Sequence, residues 1–244
     1  MFCNSYQSLY INTHCLLLDN VIFNYFMTSL PKNTPDKHKE STLRTLLREA
    51  THHHHVKLNG HLLLAGLMHP NYPLSHYHTL LDTYYRLYQL LEGLINAFLS
   101  GHPDAFDYSV RYKFPELIKY LAFLEIDPLA LPSLSSSATD FLTIETVGQL
   151  VGVLYVMEGS TLGVQMISQL SAKNNGFTGR TGSFFFTGYG ENTQTFWQRF
   201  TAFSDTLIGD KRQCQKAVDS ICQTVQLFNQ VLDDAAHQNH IMVL

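Results

Sequence analysis

Tyr155-Val156-Met157-Glu158-Gly159-Ser160-Thr161-Leu162-Gly163-Val164-Gln165 lies within a mostly apolar stretch. The pattern predicts a long helix from Thr139 or Asp140 to about Leu170. Each interior glycine costs about 1 kcal/mol relative to alanine, so Gly159 and Gly163 together cost about 2 kcal/mol. Such an expense calls for the close approach of something bulky, because glycine lets a backbone touch its neighbour. Two readings meet that demand. One is tight helix–helix packing through a small-xxx-small pair. The other is a flat ligand lying against the helix, where side chains would collide.

Helical spacing continues on both sides. Leu43, Leu47, Ala50 and Leu58 share one face of an earlier helix, and Leu80, Tyr84, Leu87, Leu91 and Ile95 share a face between about Ser75 and Leu99. Gly101 and Pro103 stop that second helix. Asp107 predicts the cap of a third helix reaching Glu125, with Pro115 as an internal kink or break. Pro128 to Ser137 reads as a loop. Lys173 to Gly190 reads as irregular, with glycines around Phe184-Phe185-Phe186, before helical spacing returns over Thr193–Leu207 and Lys211–Ala236. No strand alternation lasts more than a few residues. The expected fold class is all-α, a multi-helical bundle.

Composition narrows the function classes. The 244 residues suffice for a full core. Charged residues make up 15% against a usual value of about 25%, and aromatics 12%, which argues against disorder and for large buried or ligand-facing surfaces. A net charge of −4 removes the basic field that nucleic-acid binding needs. No apolar run approaches the roughly 18 residues of a membrane span. Cys3, Cys15, Cys214 and Cys222 form no CxxC pair, and the last two stand about 12 Å apart along one helix, too far to bridge. Reduced thiols in a cytoplasmic protein are expected. Met1 to Pro31 holds no Lys or Arg, so the positive region of a secretory signal is missing, and Met27 is an alternative start. Residues 1–30 read as an extension of unknown role and 31–240 as the domain.

His52-His53-His54-His55 resembles a metal tag but falls in mid-helix, where successive residues point about 100° apart and cannot converge on one ion. Periodicity places His54 at the centre of the apolar face and His55 at its edge. A packed core histidine among solvated ones is one reading. The other uses Arg48, seven residues before His55 and on nearly the same side. A neutral imidazole with a guanidinium beside it suits a metal-centred ligand carrying carboxylates, such as heme.

Taken together, Leu47-Arg48-Glu49-Ala50-Thr51-His52-His53-His54-His55 resembles the LR-x-x-T-x-x-x-H signature of heme oxygenases, and Gly159 to Gly163 with Gln165 resembles their distal-helix glycine motif. Tyr77 to Glu92, Arg111-x-Lys113-x-Pro115-x-Leu117, Phe186 with Gly188-Tyr189-Gly190, and Trp197-x-x-Phe200 resemble further segments of that family. The likeness covers about residues 40–232 and is strongest to the bacterial branch that supplies biliverdin to bacteriophytochromes.

The resemblance implies His55 as proximal iron ligand, with His54 a core residue and His52 and His53 solvated. It implies Arg48 as partner of a heme propionate, with Thr51 beside it. Gly159, Ser160 and Gly163 would form the catalytic distal turn, and Ser160 and Gln165 would order distal water. Phe185, Phe186 and Tyr189 would contribute to the pocket, and Arg199 would be a second anion partner. Departures from the family pattern are Asn59 where a carboxylate often orients the proximal ring, Ser160 for the distal aspartate of mammalian-type enzymes, Val164 for a second glycine, and Tyr120 for an aspartate.

The implied reaction cleaves heme, both substrate and cofactor, at a meso carbon to biliverdin, CO and ferrous iron. It uses O2 and electrons from an external reductase or ferredoxin, since no flavin or nicotinamide fingerprint is present. A bacteriophytochrome would be the biliverdin acceptor. The alternatives are a heme carrier or sensor without turnover, a non-heme enzyme on the same fold, and a purely structural bundle.

Overall fold

The computed structural model describes residues 43–65, 67, 71–128, 131, 134, 141–175, 185 and 188–241. By internal packing the chain divides into Met1–Glu40 and Ser41–Leu244, and every described residue belongs to the second unit. The expected extension over residues 1–30, Phe186 and most of the 128–137 loop lie outside the described residues.

Seven helices are described: α1 (Leu43–Asn59), the short α2 (Leu62–Ala65), α3 (Leu74–Gly101), α4 (Phe114–Phe123), α5 (Val147–Asn175), α6 (Thr193–Asp205) and α7 (Lys211–Gln238). A 3₁₀ turn, Gly190–Asn192, precedes α6. There is no strand among the described residues, so the all-α expectation holds. None of these helices is long and apolar enough to cross a membrane.

Two helix starts differ from the sequence expectation, each for a local chemical reason. Asp107 does not cap a helix. Its Oδ1 accepts from the Ser109 amide at 3.0 Å and the Ser109 hydroxyl at 2.6 Å, closing a turn. α4 begins only at Phe114, with Pro115 in its first turn, where a missing N–H costs nothing. The chain is therefore not kinked at Pro115. α5 begins at Val147 rather than near Thr139, because Thr146 caps it and Gln149 reaches back to the preceding residue. The Gln149 amide donates to Thr146 Oγ1 at 3.2 Å, while Gln149 Oε1 accepts from the Glu145 amide at 3.1 Å. α5 also runs past Leu170 to Asn175, so the irregular segment starts later than expected.

α7 is the centre of the bundle, packing against α1, α2, α3 and α5. Its most extensive partner is α5, and that crossing uses small residues. A Cβ on Gly152 would lie 2.6 Å from both the Ala217 carbonyl oxygen and Ser220 Cβ. The Gly148 amide donates to Gln213 Oε1 at 2.7 Å, and Ser220 Oγ donates to the Gln149 carbonyl at 3.0 Å. Close helix–helix packing through glycine is thus present on this helix, at Gly148 and Gly152. Residues 150–159 are buried without a break, as befits a helix packed on several sides. The two described cysteines, Cys214 and Cys222, are free thiols.

Candidate functional site

The turn of α5 from Met157 to Thr161 is held by charge from outside the helix. Glu158 is the only charged residue between Val147 and Leu170, and its side chain is 1% exposed. An isolated carboxylate at such a depth would be very costly, so it must be paired. Arg111, 3% exposed, brings Nη1 to 2.8 Å from Glu158 Oε2, though without a linear N–H···O alignment. Tyr189 Oη donates to Glu158 Oε1 at 2.8 Å. The other guanidinium nitrogen donates to the Phe196 carbonyl at 3.1 Å, and the group lies between the Phe106 and Phe196 rings, 4.8 Å from each centroid.

Two residues on, Lys113 enters the same turn. Its Nζ donates to Thr161 Oγ1 and, at 3.3 Å, to the Met157 carbonyl. The ammonium lies 4.7 Å from the Tyr189 ring centroid and 5.7 Å from that of Tyr88. Burial lowers its pKa to about 8, with Glu158 and Glu92 opposing the fall. Glu92 on α3 holds this segment in place. Its Oε1 accepts from the Lys113 amide at 2.7 Å and Tyr108 Oη at 3.2 Å, and its Oε2 accepts from the Phe114 amide at 3.2 Å. A carboxylate at the start of α4 also suits the positive end of that helix. Burial pushes the Glu92 carboxyl upward against these three donors.

Tyr189 reaches Glu158 because of the glycines beside it. Gly188 and Gly190 take φ of +59° and +58°, left-handed values that glycine adopts freely. A Cβ on Gly188 would come within 2.8 Å of Thr161 Cγ2. The loop therefore rests directly on α5.

Ser160 follows on the next position, half-buried. Its Oγ donates to the Met157 carbonyl at 2.9 Å and lies 3.4 Å from Tyr88 Oη. Tyr88 belongs to an aromatic wall with Tyr84, Phe185 and Phe228. Phe185 lies 5.3 Å from Tyr88 and 5.2 Å from Tyr84, centroid to centroid, and Phe228 is 6.3 Å from Tyr84. Burial pushes the Tyr84 and Tyr88 phenols far above their ordinary range, so both stay neutral.

The histidine helix α1 and the glycine helix α5 both pack on α7. On α1, Leu43, Leu47 and Thr51 are buried, whereas Arg48, Glu49, His52 and His53 are exposed. Thr51 Oγ1 donates to the Leu47 carbonyl at 2.8 Å, so its hydroxyl is committed to its own helix. His54 is half-buried, and burial with neighbouring His53 and Lys57 lowers its pKa, favouring the neutral ring. His55 lies in the helix, as do Gly163 and Gln165 in α5, but their side chains fall outside the described residues. Arg199 is exposed on α6, 6.0 Å from the Phe196 ring centroid. Tyr120, where the family pattern has an aspartate, donates to Tyr77 Oη at 2.9 Å inside the core. No cluster of three metal-ligating side chains occurs among the described residues.

The structure thus brings Gly159, Ser160, Phe185 and Tyr189 into one neighbourhood. It adds four residues that the sequence marked only as part of a resembling segment or not at all: Arg111, Lys113, Glu158 and Glu92. The usable signal for Glu158 was its isolation in an apolar helix.

Residues 137–234 match the family model described as heme oxygenase. Among solved structures, the heme oxygenase of Leptospira interrogans superposes with a TM-score of 0.64 at 18% identity, covering 79% of this chain and 99% of that one. The NO- and CO-bound heme oxygenase of Neisseria meningitidis gives 0.62 at 16% identity, covering 80% and 92%. Heme oxygenase-1 of the cyanobacterium Synechocystis, in complex with heme, gives 0.62 at 15% identity, covering 82% and 97%. No curated protein matches the chain by sequence. The described chain has the all-α heme oxygenase fold.

Proposed function

We propose that this chain is a member of the heme oxygenase family and cleaves heme, its substrate, to biliverdin, CO and ferrous iron with O2 and electrons from an external donor. The observation that carries the reading is the place of the family match. That match spans α5, α6 and most of α7, and so includes the Gly159-Ser160 turn that Arg111, Lys113, Glu158 and Tyr189 anchor.

The residues present suit such a substrate. Tyr84, Tyr88 and Phe185 form a buried aromatic cluster behind the Ser160 turn, an apolar backing suited to a site for a flat macrocycle. His55 is assigned as iron ligand by the motif, and Arg48 and Arg199, both exposed cations, as partners for carboxylates. When bound, heme supplies the iron at which O2 is reduced and the meso carbon that is oxidised. Everything else falls to the protein. Gly159 keeps side-chain bulk off the helix surface. Ser160, with Tyr88 beside it, provides a neutral hydroxyl to hold a proton or an ordered water. Glu158 does not serve as a free acid, because both of its oxygens are engaged by Arg111 and Tyr189. A bacteriophytochrome as biliverdin acceptor and a cytoplasmic location belong to the same reading.

That sealing of Glu158 favours a second reading, a heme carrier without turnover, since the turn presents no available carboxylate. A hemin titration followed by ascorbate or a ferredoxin system in air separates them. A one-to-one Soret complex that bleaches to a biliverdin spectrum, and that His55→Ala weakens, is the expected result. A Soret complex stable under reductant would point to the carrier. No complex at all would overturn both readings.

A further inference from the structure

The Met157 carbonyl has more donors than it can accept. Thr161 Oγ1 lies 2.8 Å from it, Ser160 Oγ 2.9 Å and Lys113 Nζ 3.3 Å. A carbonyl oxygen carries two lone pairs, so three side-chain donors compete for two positions before any backbone N–H is counted. A charged donor makes a hydrogen bond about twice as strong as a neutral one, which favours the ammonium over a hydroxyl. Thr161 cannot turn elsewhere easily, because its oxygen also accepts from Lys113 and its methyl lies beside Gly188. Ser160 is different. It is half-buried rather than sealed, and Tyr88 Oη stands 3.4 Å away as an alternative partner.

We propose that Lys113 is a positioning residue for Ser160: its ammonium competes with the Ser160 hydroxyl for the Met157 carbonyl and so biases the Ser160 proton from that carbonyl toward Tyr88 Oη. The catalytic consequence rests on the heme oxygenase reading, in which that proton serves the distal side of the substrate. The groups facing Lys113 are Glu158 on α5, Glu92 and Tyr88 on α3, Arg111 on its own segment, and Tyr189 on the loop before α6, and Tyr108 stands behind Glu92 as its hydrogen-bond donor. The three phenols are held neutral by burial. Lys113 loses its charge at about pH 8, so its competition for the carbonyl is strongest below that pH and weakens above it, in favour of Ser160.

The sequence supplies a direct probe, since Met157-Glu158 is the only Met-Glu pair in the chain. Heme-free protein labelled with [1-13C]Met and [15N]Glu gives a single carbonyl–amide correlation, to be followed from about pH 6 to about pH 10. We expect a carbonyl shift with a midpoint at about 8 in the wild type and none in Lys113→Arg or Lys113→Met. In Ser160→Ala the shift should grow about twofold, because no hydroxyl replaces the lost donor. A flat wild-type titration, a transition persisting in Lys113→Met, or an unchanged amplitude in Ser160→Ala would overturn the proposal.

In turnover, the wild-type rate of bile-pigment formation should fall on the alkaline side with the same midpoint. Lys113→Arg should keep its rate there, and Lys113→Met should be slowed about tenfold already at neutral pH. Lys113→Arg decides the question if Lys113→Met does not fold. A wild type that binds no heme would sink the functional reading while leaving the carbonyl titration to judge the lysine.

Discussion

On α5, Glu158 is closed from water by Arg111 and Tyr189, while on α1 Arg48, Glu49, His52 and His53 stand in solvent. Both helices carry the residues that make the sequence distinctive, and both pack on α7. They differ in what fixes them. The α5 turn is held by side chains from α3, the segment before α4, and the Gly188–Gly190 loop, each satisfying a group that burial would otherwise penalise. α1 is seated through a packed Leu43–Leu47–Thr51 face. The contrast separates two tasks. A turn that must present backbone and one hydroxyl at fixed positions needs support from outside its helix. An exposed cation that, under the proposed function, would meet a heme propionate needs only reach.

The largest expected effect breaks the α5 side. Arg111→Met removes one member of a buried pair and leaves the Glu158 carboxylate uncompensated, which costs about 3–5 kcal/mol. Urea denaturation should show that loss, and the double variant Arg111→Met with Glu158→Met should recover much of it. A loss below about 1 kcal/mol in the single variant would mean that water, not Arg111, satisfies Glu158. Arg48→Met on α1 supplies the counterpart, a stability change within about 0.5 kcal/mol.

Next in size is Gly152→Val. Its first side-chain carbon would meet the Ala217 carbonyl oxygen and Ser220 Cβ at 2.6 Å, so α5 and α7 must separate. Overpacking of this kind costs about 1–3 kcal/mol. Tyr189→Phe is smaller. It deletes the hydroxyl that donates to Glu158 Oε1 but keeps the ring against Phe196 and the Arg111 partner, so about 1–2 kcal/mol is expected. Thermal melts of the three variants side by side give the order Arg111, Gly152, Tyr189. A Tyr189→Phe loss larger than that of Arg111→Met would reverse the assignment of which group anchors Glu158.

The bodies of α1, α3, α6 and α7 were readable because three-and-four spacing survives in them. α5, buried all round over residues 150–159, was readable from its length and apolarity, while the four-residue α2 was not expected. The starts of α3, α6 and α7 were legible too, at about Ser75, Thr193 and Lys211. Those of α4 and α5 were not, because the decisive groups are elsewhere: α4 begins where Glu92 of α3 collects the Lys113 and Phe114 amides, and Asp107, a sound cap by residue type, is spent on Ser109. Gly159 and Gly163 stood out through their energetic cost, but Gly148 and Gly152 on the same helix passed unremarked, and these are the pair that meets α7. Arg111 and Glu158 are distant in the chain, and although Glu158 is conspicuous as a lone charge in an apolar helix, the sequence does not mark Arg111 as its partner. Only their burial reveals the pair. Thr51 shows the converse, a motif residue whose hydroxyl is absorbed by the Leu47 carbonyl.

The smallest effect lies just beyond the C-terminal end of α1 and sharpens the contrast through pH. His61 Nδ1 accepts the Leu63 amide at 3.2 Å, and its Nε2 lies 3.2 Å from Asp233 Oδ1 on α7. Burial lowers the His61 pKa, and the Asp233 charge and hydrogen bond only partly offset it. A histidine whose folded pKa lies below its unfolded value of about 6.5 binds fewer protons when folded. Its contribution is therefore present above pH 6.5 and is lost as pH falls toward the lower, folded value. Urea midpoints should drop modestly on acidification through that window. Asp233→Asn should steepen the drop, because it removes the attraction that holds the folded pKa up. His61→Gln should flatten it. A drop that His61→Gln leaves unchanged would place the acid-sensitive group elsewhere, with half-buried His54 as the next to test.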